Sequence, residues 1–317
     1  MVRMRLGPAG LVFRARPRDG LAANGASALQ ELLVSEGQGE AANAAQIDYW
    51  NATAGLTWAR YQAQLDKQIE PLGLEALRVL AARPGERVLD VGCGCGQTTL
   101  ELAERVGAGG AVTGVDISSP MLAIAEDRPV PVGAAQPRFI KCDAQTADLG
   151  QAQYDAVFSR FGVMFFGDPV AAFANLRKAL TSSGRLTFVC WRPFSENLWM
   201  RTPIEAAQPY LPPSPPMDPS APGPFAFADP GRVRSILSEA GFSDVTLHVF
   251  NTSIGGSSLD QTVDLAFRVG PLGAVLREKP DLAPNVADAV KAALAAYETP
   301  NGVFMPAAVW IVTAQAA

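Results

Sequence analysis

Residues 87–99 constrain this chain most, because they predict a buried strand, a glycine turn and a helix in direct succession. Residues 87–91 are short, mostly apolar and rich in β-branched side chains, which is typical of a central parallel strand. Glycines follow at positions 92, 94 and 96, and glycine lets the backbone bend sharply and lie directly against a ligand. The helix that begins next offers free N–H groups. The stretch therefore predicts a small-molecule site at the carboxyl end of a parallel strand.

Strands and helices alternate along the chain after this first strand. Six further strands are predicted at 111–116, 138–142, 154–159, 184–191, 245–250 and 302–313. Helices are predicted between them at 97–106, 121–127, 169–180 and 229–240. Repeated strand–helix units of this length are typical of parallel sheets. The sequence therefore predicts an α/β fold with a Rossmann-like, doubly wound sheet of seven strands that is mostly parallel and has an antiparallel edge strand.

N-terminal helices are predicted before the first strand. An apolar stripe runs through residues 46–70, with interruptions expected at Gly55 and Pro71, and another helix is predicted at 72–82. Four aromatic side chains of this region have two interpretations, core packing or a lid over a ligand. They are Tyr49, Trp50, Trp58 and Tyr61.

The chain divides into a leading segment and one domain with two insertions. Five arginines in residues 1–45 precede the first acidic residue, Asp19. We interpret this segment as a flexible or disordered extension, with an organelle transit peptide as the alternative. Residues 46–317 are expected to form the domain. Ten prolines within 203–230 argue against a regular helix or a central strand there. Insertions at about 195–228 and 255–300, the second with two helices, are therefore expected to form a substrate lid.

Composition limits the partners. The net charge of −5 gives no general attraction for nucleic acid, and no apolar run reaches the roughly 18 residues of a membrane helix. The four cysteines have neither disulfide nor zinc spacing, so we expect no metal and a reducing, cytoplasmic setting. A monomer and a homodimer are both compatible with the sequence.

Polar residues at three strand ends indicate which ligand the glycine turn holds. A dinucleotide turn has a third glycine where Gln97 stands here. Asp90, just before the turn, would repel a pyrophosphate but attract an ammonium group, directly or through water. Asp116 ends the second strand, where a carboxylate can bind both ribose hydroxyls, and Asp143 ends the third, where it can accept from an adenine amino group. Adenosine with a zwitterionic, phosphate-free tail describes S-adenosylmethionine.

With these residues the chain resembles the class I S-adenosylmethionine-dependent methyltransferases, from about residue 46 onward. The strongest pieces are VLDVGCGCG at 88–96, GVDIS at 114–118, Asp143-Ala144 and YDAVFSRFGVMFF at 154–166. Within the class it resembles the small-molecule branch related to the ubiquinone and menaquinone biosynthesis methyltransferases. The two insertions depart from a minimal enzyme of that kind.

The resemblance implies a role for each residue that matches the motifs. The turn residues would contact the methionine part of the cofactor; they are Gly92, Cys93, Gly94 and Gly96, beside Asp90. Asp116 would bind the ribose, with Ile117 and Met121 packing on the adenine. Asp143 and Ala144 would hold the adenine edge, and Ser159 and Arg160 would lie at the mouth, facing the transferred methyl group.

The sequence says less about the part of the site that binds the methyl acceptor. Arg160, Tyr49 and Tyr61 are the candidates for a catalytic group, and the only histidine, His248, is predicted to be structural. Aromatic residues of the loop 161–168 predict a hydrophobic or aromatic small molecule as methyl acceptor, or else simply seal the core. The predicted function is S-adenosylmethionine-dependent methyl transfer by in-line displacement. The alternatives are a non-catalytic regulatory protein that binds the cofactor, and an NAD-linked oxidoreductase, against which Asp90 and Gln97 argue.

Overall fold

The computed structural model describes residues 43–213, 218 and 221–316. Most of the predicted leading extension, residues 1–42, therefore lies outside the described residues. Residues 43–45, which the sequence placed at the end of that extension, already belong to the first helix. Residues 42–317 form one structural unit.

Eleven helices and eight strands follow one another in the described part of the chain. The helices are α1 (43–51), α2 (Thr53–Arg60), α3 (Gln62–Leu80), α4 (Gln97–Val106), α5 (Ser119–Asp127), α6 (Pro169–Ala179), α7 (Leu198–Ala207), α8 (Pro230–Glu239), α9 (Leu259–Ala266), α10 (Gly270–Glu278) and α11 (Ala283–Ala295). The strands are β1 (Arg87–Val91), β2 (Ala111–Asp116), β3 (Arg138–Lys141), β4 (Tyr154–Arg160), β5 (Leu180–Trp191), β6 (Ser243–Ser257), β7 (Glu298–Thr299) and β8 (Gly302–Gln315).

The sheet confirms the predicted fold class. Its order is β3-β2-β1-β4-β5-β8-β6, with the two-residue β7 paired to β8. Strands β1 to β5 pair in parallel, whereas β8 runs antiparallel between β5 and β6. The chain moves outward from β1 to β3 and then returns to place β4 beside β1. Ligands of open α/β sheets bind at such a reversal, outside the carboxyl ends of the strands.

Two interruptions that the sequence predicted in the N-terminal helices are wrong. Pro71 lies inside α3. Losing one backbone hydrogen bond at a proline costs about 3 kcal/mol, but α3 buries Leu72, Leu77 and Leu80 almost completely, and each such side chain contributes roughly 1.5–3 kcal/mol. Gly55 lies inside α2, where a Cβ would come within 1.9 Å of the Trp50 carbonyl oxygen. Gly55 therefore allows α1 and α2 to approach, and the break between them falls at Ala52.

The two insertions hold more regular structure than the sequence predicted. The first begins with α7, which runs through Pro203 and buries it, because removing an apolar face from water again outweighs the lost hydrogen bond. The second contains three helices, α9 to α11, instead of two. Strands β5, β6 and β8 are longer than predicted, since the positions at their ends continue the pairing with the neighbouring strands.

Candidate functional site

A cavity of about 360 Å³ opens at the carboxyl ends of β1, β2 and β4. This volume lies within the range of small-molecule pockets, roughly 300–1,000 Å³. One part of the wall is the strand ends and the turns after them. The other part is α1, α3, α7, α10 and the loops after β4 and before α8. The cavity therefore lies at the reversal of strand order and also reaches both insertions.

The glycine turn is needed mainly for packing against its neighbours. Gly92, Gly94 and Gly96 have φ values of 66°, 55° and 81°, a region that strains other residues. A Cβ on Gly92 would lie 2.6 Å from the Cα of Gly162, and one on Gly96 would lie 2.9 Å from the Cβ of Ala125. Among the predicted turn residues Gly92 lines the cavity, whereas Cys93, Gly94 and Gly96 do not. Their contact with the methionine part of the cofactor, which the resemblance implies, stays a prediction.

Asp90 is completely buried behind the turn. Its Oδ2 accepts hydrogen bonds from the hydroxyls of Thr98 and Thr99, each at 2.7 Å, so the carboxylate fixes the start of α4. Its Oδ1 is buried with no hydrogen-bond partner among the described residues. Burial raises the pKa of Asp90 to about 6, although both threonine hydrogen bonds act in the opposite direction. Asp90 does not line the cavity, and its contact with an ammonium group, directly or through water, stays a prediction.

Asp116 joins two turns at the edge of the cavity. One oxygen accepts from the Gly94 N–H and the other from the Ser118 N–H, both at 2.8 Å. Burial raises the pKa of this carboxyl group, although these backbone hydrogen bonds lower it. Each carboxylate oxygen keeps a second lone pair. Asp116 lines the cavity, so it can bind a ligand hydroxyl while holding the turns together.

Asp143 occupies the corresponding place after β3. It accepts from the Gln145 N–H at 2.9 Å and from Nδ2 of Asn43 at 3.0 Å. Asn43 is 3% exposed and comes from α1, in the segment that the sequence assigned to the leading extension. The predicted neighbours of Asp116 and Asp143 also line the cavity, as expected. They are Ile117, Met121 and Ala144.

Ser159 and Arg160 do not form the expected pair at the mouth. The Ser159 hydroxyl is buried and donates to the Val91 carbonyl at 2.7 Å, so it connects β4 to β1 inside the sheet. Arg160 does line the cavity. Its guanidinium donates to Oε1 of Gln97 at 2.6 Å and lies 3.6 Å from the carboxylate of Asp66 on α3. Side chains alternate between the faces of a strand, which is why the two neighbours separate.

The aromatic cluster divides between the two interpretations. Tyr49, Trp50 and Trp58 line the cavity. The rings of Trp50 and Phe165 pack edge to face, with their centroids 5.0 Å apart. These rings therefore cover the ligand space. Tyr61 instead donates to Oδ2 of Asp264 in α9 at 2.8 Å and does not line the cavity. That hydrogen bond raises the pKa of Tyr61 and holds its hydroxyl away from the cavity; its catalytic role stays a prediction.

Several residues of the site were missed by sequence reasoning. Asn51 of α1 donates to the Ile117 carbonyl and accepts from the Ser119 N–H, thereby fixing the turn after β2. Phe161 was expected in the wall as part of the loop 161–168, but not its φ of 67°, a strained value for a non-glycine residue, or the stacking of its ring on Trp191 with centroids 4.2 Å apart. Arg277 of α10 lines the cavity. A spacing signal existed only for Arg277, which follows Gly270 and Ala274 at helical intervals.

Other reactive side chains lie away from the cavity or are inert. His248 is on an exposed position of β6 and does not line the cavity. The cysteines are free thiols, and burial raises the pKa of Cys95 to about 12. Over the described ranges, no cluster of histidine, cysteine or acidic side chains suits a metal ion, and no helix could span a membrane.

Comparisons with known proteins agree on one class of chemistry. Residues 88–184 match the family model described as a methyltransferase domain. The chain is 33% identical over 118 residues to the aklanonic acid methyltransferase DauC of a Streptomyces species, covering 37% of this chain and 54% of that protein. It is 35% identical over 104 residues to the ubiquinone/menaquinone biosynthesis C-methyltransferase of Paraburkholderia phymatum, covering 33% and 42%. The chain thus spans about half the length of these first two relatives.

Two further matches cover a larger share of the protein to which this chain is similar. An uncharacterized methyltransferase of Mycobacterium bovis is 34% identical over 155 residues, which cover 48% of this chain and 67% of that protein. A crystal structure of a proposed methyltransferase from Bacillus halodurans shares the fold, with a TM-score of 0.51 at 18% identity over 77% of this chain and 98% of that one.

Proposed function

The chain belongs to the class I S-adenosylmethionine-dependent methyltransferases, and we propose that it transfers the methyl group of that cofactor to a small hydrophobic or aromatic molecule. One observation carries the proposal. A single cavity contains the strand-end residues suited to the cofactor and an apolar, aromatic wall built partly by the two insertions. The acceptor would lie against that aromatic wall.

The residues at the strand ends fit the cofactor. Asp116 would bind the ribose hydroxyls, and Asp143 with Ala144 would hold the adenine edge. Ile117 and Met121 supply the apolar surface on which an adenine packs. Asp90 has a buried carboxylate oxygen without a partner, which suits an ammonium group reached through water. Gly92 and Gly162 pack against each other in a way that a Cβ would block, and both line the cavity where the tail would lie.

The chain's own residues orient the reactants and exclude water. When bound, the cofactor supplies a methyl group already activated on a sulfonium sulfur. Phe161, Trp191 and Trp199 form an apolar wall, so the acceptor would be held in a dry space, where orientation lowers the barrier. The described part of the wall contains no histidine, glutamate or lysine. Of the catalytic candidates, Tyr49 and Arg160 line this wall, and both would contact the acceptor there.

Calorimetric titration tests the cofactor assignment. We expect S-adenosylhomocysteine to bind the full chain and NADH not to bind. Asp116→Asn should weaken S-adenosylhomocysteine binding by roughly 1.5–3 kcal/mol, the contribution of a hydrogen bond to a charged group. Asp127→Asn, at an exposed position of α5, is the matched control and should bind as the wild type does.

The outcomes separate the candidate functions. Unchanged affinity in a folded Asp116→Asn variant would remove the ribose assignment. Binding of NADH in place of S-adenosylhomocysteine would overturn the proposed function. Methyl transfer itself is detected as S-adenosylhomocysteine released when the chain is incubated with S-adenosylmethionine and a panel of aromatic acceptors. Turnover of short polar amines with none of the aromatic compounds would contradict the proposed acceptor class.

A further inference from the structure

Arg277 is a cation on the acceptor wall whose charge no described carboxylate balances. It lies on α10, three residues after Ala274 and seven after Gly270, and this spacing places all three on the helix face that lines the cavity. Its Nη1 donates to the Arg268 carbonyl at 2.8 Å and its Nη2 to the Tyr49 hydroxyl at 3.4 Å. Both partners are neutral, so the guanidinium keeps its full charge and unused donors.

The surroundings of Arg277 strengthen its attraction for an anion. The neighbouring wall is formed by apolar residues of α10 and by tryptophans of α1 and α7. A charge beside such a wall is poorly solvated once the cavity fills, so a fixed anion interacts with it more strongly than in water. The other arginine of the wall, Arg160, already faces Asp66 and Gln97. Arg277 is thus the wall arginine with capacity for a ligand.

Tyr49 supplies a second hydrogen-bond donor beside Arg277. It lies on α1, and the hydrogen bond with Arg277 joins residues 228 positions apart in the chain. The Tyr49 hydroxyl accepts from Arg277 and keeps its own proton free to donate. A guanidinium and a phenol that converge in this way can both donate to one carboxylate.

We propose that Arg277 and Tyr49 form an anion-binding pair that selects aromatic acceptors carrying a carboxylate. The pair would hold the carboxylate while the ring system lies against the tryptophans of the wall. The inference rests on the proposed function in treating this part of the cavity as the acceptor site. Its test is a binding measurement that uses no methyl transfer.

The experiment titrates the full chain with 9-anthracenecarboxylate and with the methyl ester of that acid, with and without S-adenosylhomocysteine. Binding is followed by energy transfer from the tryptophans that line the cavity. We expect the acid to bind more tightly than the ester by about tenfold or more, the range of a charge-assisted hydrogen bond. Arg277→Gln should remove that preference and leave ester binding unchanged. Arg277→Lys should keep part of it, and Tyr49→Phe should reduce it less than Arg277→Gln does.

Arg201→Gln is the matched control, because Arg201 pairs with Glu205 on α7 and does not line the cavity. It should behave as the wild type does. Equal binding of acid and ester by the wild type, binding of neither, or an unchanged preference in Arg277→Gln would each overturn the inference. A tenfold loss of S-adenosylhomocysteine affinity in Arg277→Gln would also overturn it, by assigning Arg277 to the cofactor. If S-adenosylhomocysteine fails to bind the wild type, the proposed function fails, while the acid–ester comparison without it still decides the role of Arg277.

Discussion

At the scale of single residues, carboxylates at neighbouring strand ends act differently because their surroundings differ. Asp90 is fully buried and accepts two threonine hydroxyls on one oxygen. Asp116 lies at the cavity edge and accepts two backbone N–H groups. Burial therefore raises the pKa of both carboxyl groups, but the hydroxyls at Asp90 fix the start of α4 whereas the backbone N–H groups at Asp116 connect two turns at the cavity edge.

The raised pKa of Asp90 predicts a pH-dependent loss of stability. Its pKa is about 6 in the folded chain against an ordinary value of 3.8, so the folded state holds this proton more tightly than the unfolded state. The stabilisation is complete below the unfolded pKa and is lost as pH rises through about 6. Between pH 4 and pH 7 the wild type should lose up to roughly 3 kcal/mol relative to Asp90→Asn, because one pKa unit corresponds to about 1.4 kcal/mol.

Urea unfolding of both proteins across that pH range measures the difference. Asp155→Asn is a control of opposite sign: burial acts to raise the pKa of Asp155, but its hydrogen bonds from Arg87 lower it overall. Relative to that variant the wild type should gain stability as pH rises through the acidic range. A difference between wild type and Asp90→Asn that does not vary with pH would contradict the raised pKa.

At the scale of elements, the cavity is closed by helices that are distant in sequence. Tyr61, at the junction of α2 and α3, reaches Asp264 in α9, and Gln64 reaches the Gln261 carbonyl. The second insertion is thereby attached to the N-terminal helices. Tyr61, a catalytic candidate of the sequence, thus connects the N-terminal helices to the second insertion.

Tyr61→Phe should loosen that attachment. Removing a hydrogen bond of this kind costs about 1 kcal/mol, so amide exchange in α9 should accelerate about fivefold. Hydrogen–deuterium exchange read by mass spectrometry on peptides covering residues 259–266 measures the effect. Tyr210→Phe, at an exposed tyrosine, should leave the exchange unchanged, and equal exchange in both variants would show that the Asp264 contact does not hold α9.

At the scale of the whole molecule, the described residues form two hydrophobic cores. The larger surrounds the sheet and includes Leu102, Phe158 and Phe173. The smaller lies among α7, α10, α11 and the start of β8, and includes Leu272, Val290 and Leu294. The cofactor side of the cavity is supported by the first core and the α10 wall by the second. The elements around the two ends of the cavity should therefore differ in their free energy of local unfolding.

Leu294→Ala tests this division. Leu294 is fully buried, and such a truncation costs about 2–5 kcal/mol. We expect faster amide exchange in α10 and α11 with little change in β1 to β5, and weaker binding of the aromatic ester with S-adenosylhomocysteine binding retained. Leu102→Ala, in the larger core, should instead lower the stability of the sheet. Equal acceleration across the sheet in Leu294→Ala would mean that the two cores unfold together.

Much of the cofactor side could be predicted because its determinants are local. Gly92, Asp116 and Asp143 follow strands whose apolar patterns are clear, and parallel strands bring their carboxyl ends to one edge. The predictions failed where neighbours in sequence diverge, as with Ser159 and Arg160 on opposite faces of β4. They also failed for Pro71 and Pro203. The sequence correctly indicated that each proline costs a helix one backbone hydrogen bond, but burial of the apolar helix face stabilises the helix by more than that.

The sequence by itself determined the alternation of strands and helices, the glycine turn and the class of cofactor, since each depends on backbone preferences and spacing within a few tens of residues. Only the tertiary structure decided which side chains meet in the proposed acceptor wall. Tyr49 and Arg277 meet because the sheet order and the packing of α10 carry α1 and the second insertion to one opening. Contacts across 228 residues leave no local pattern, because the free energy that forms them comes from burial shared over the whole core.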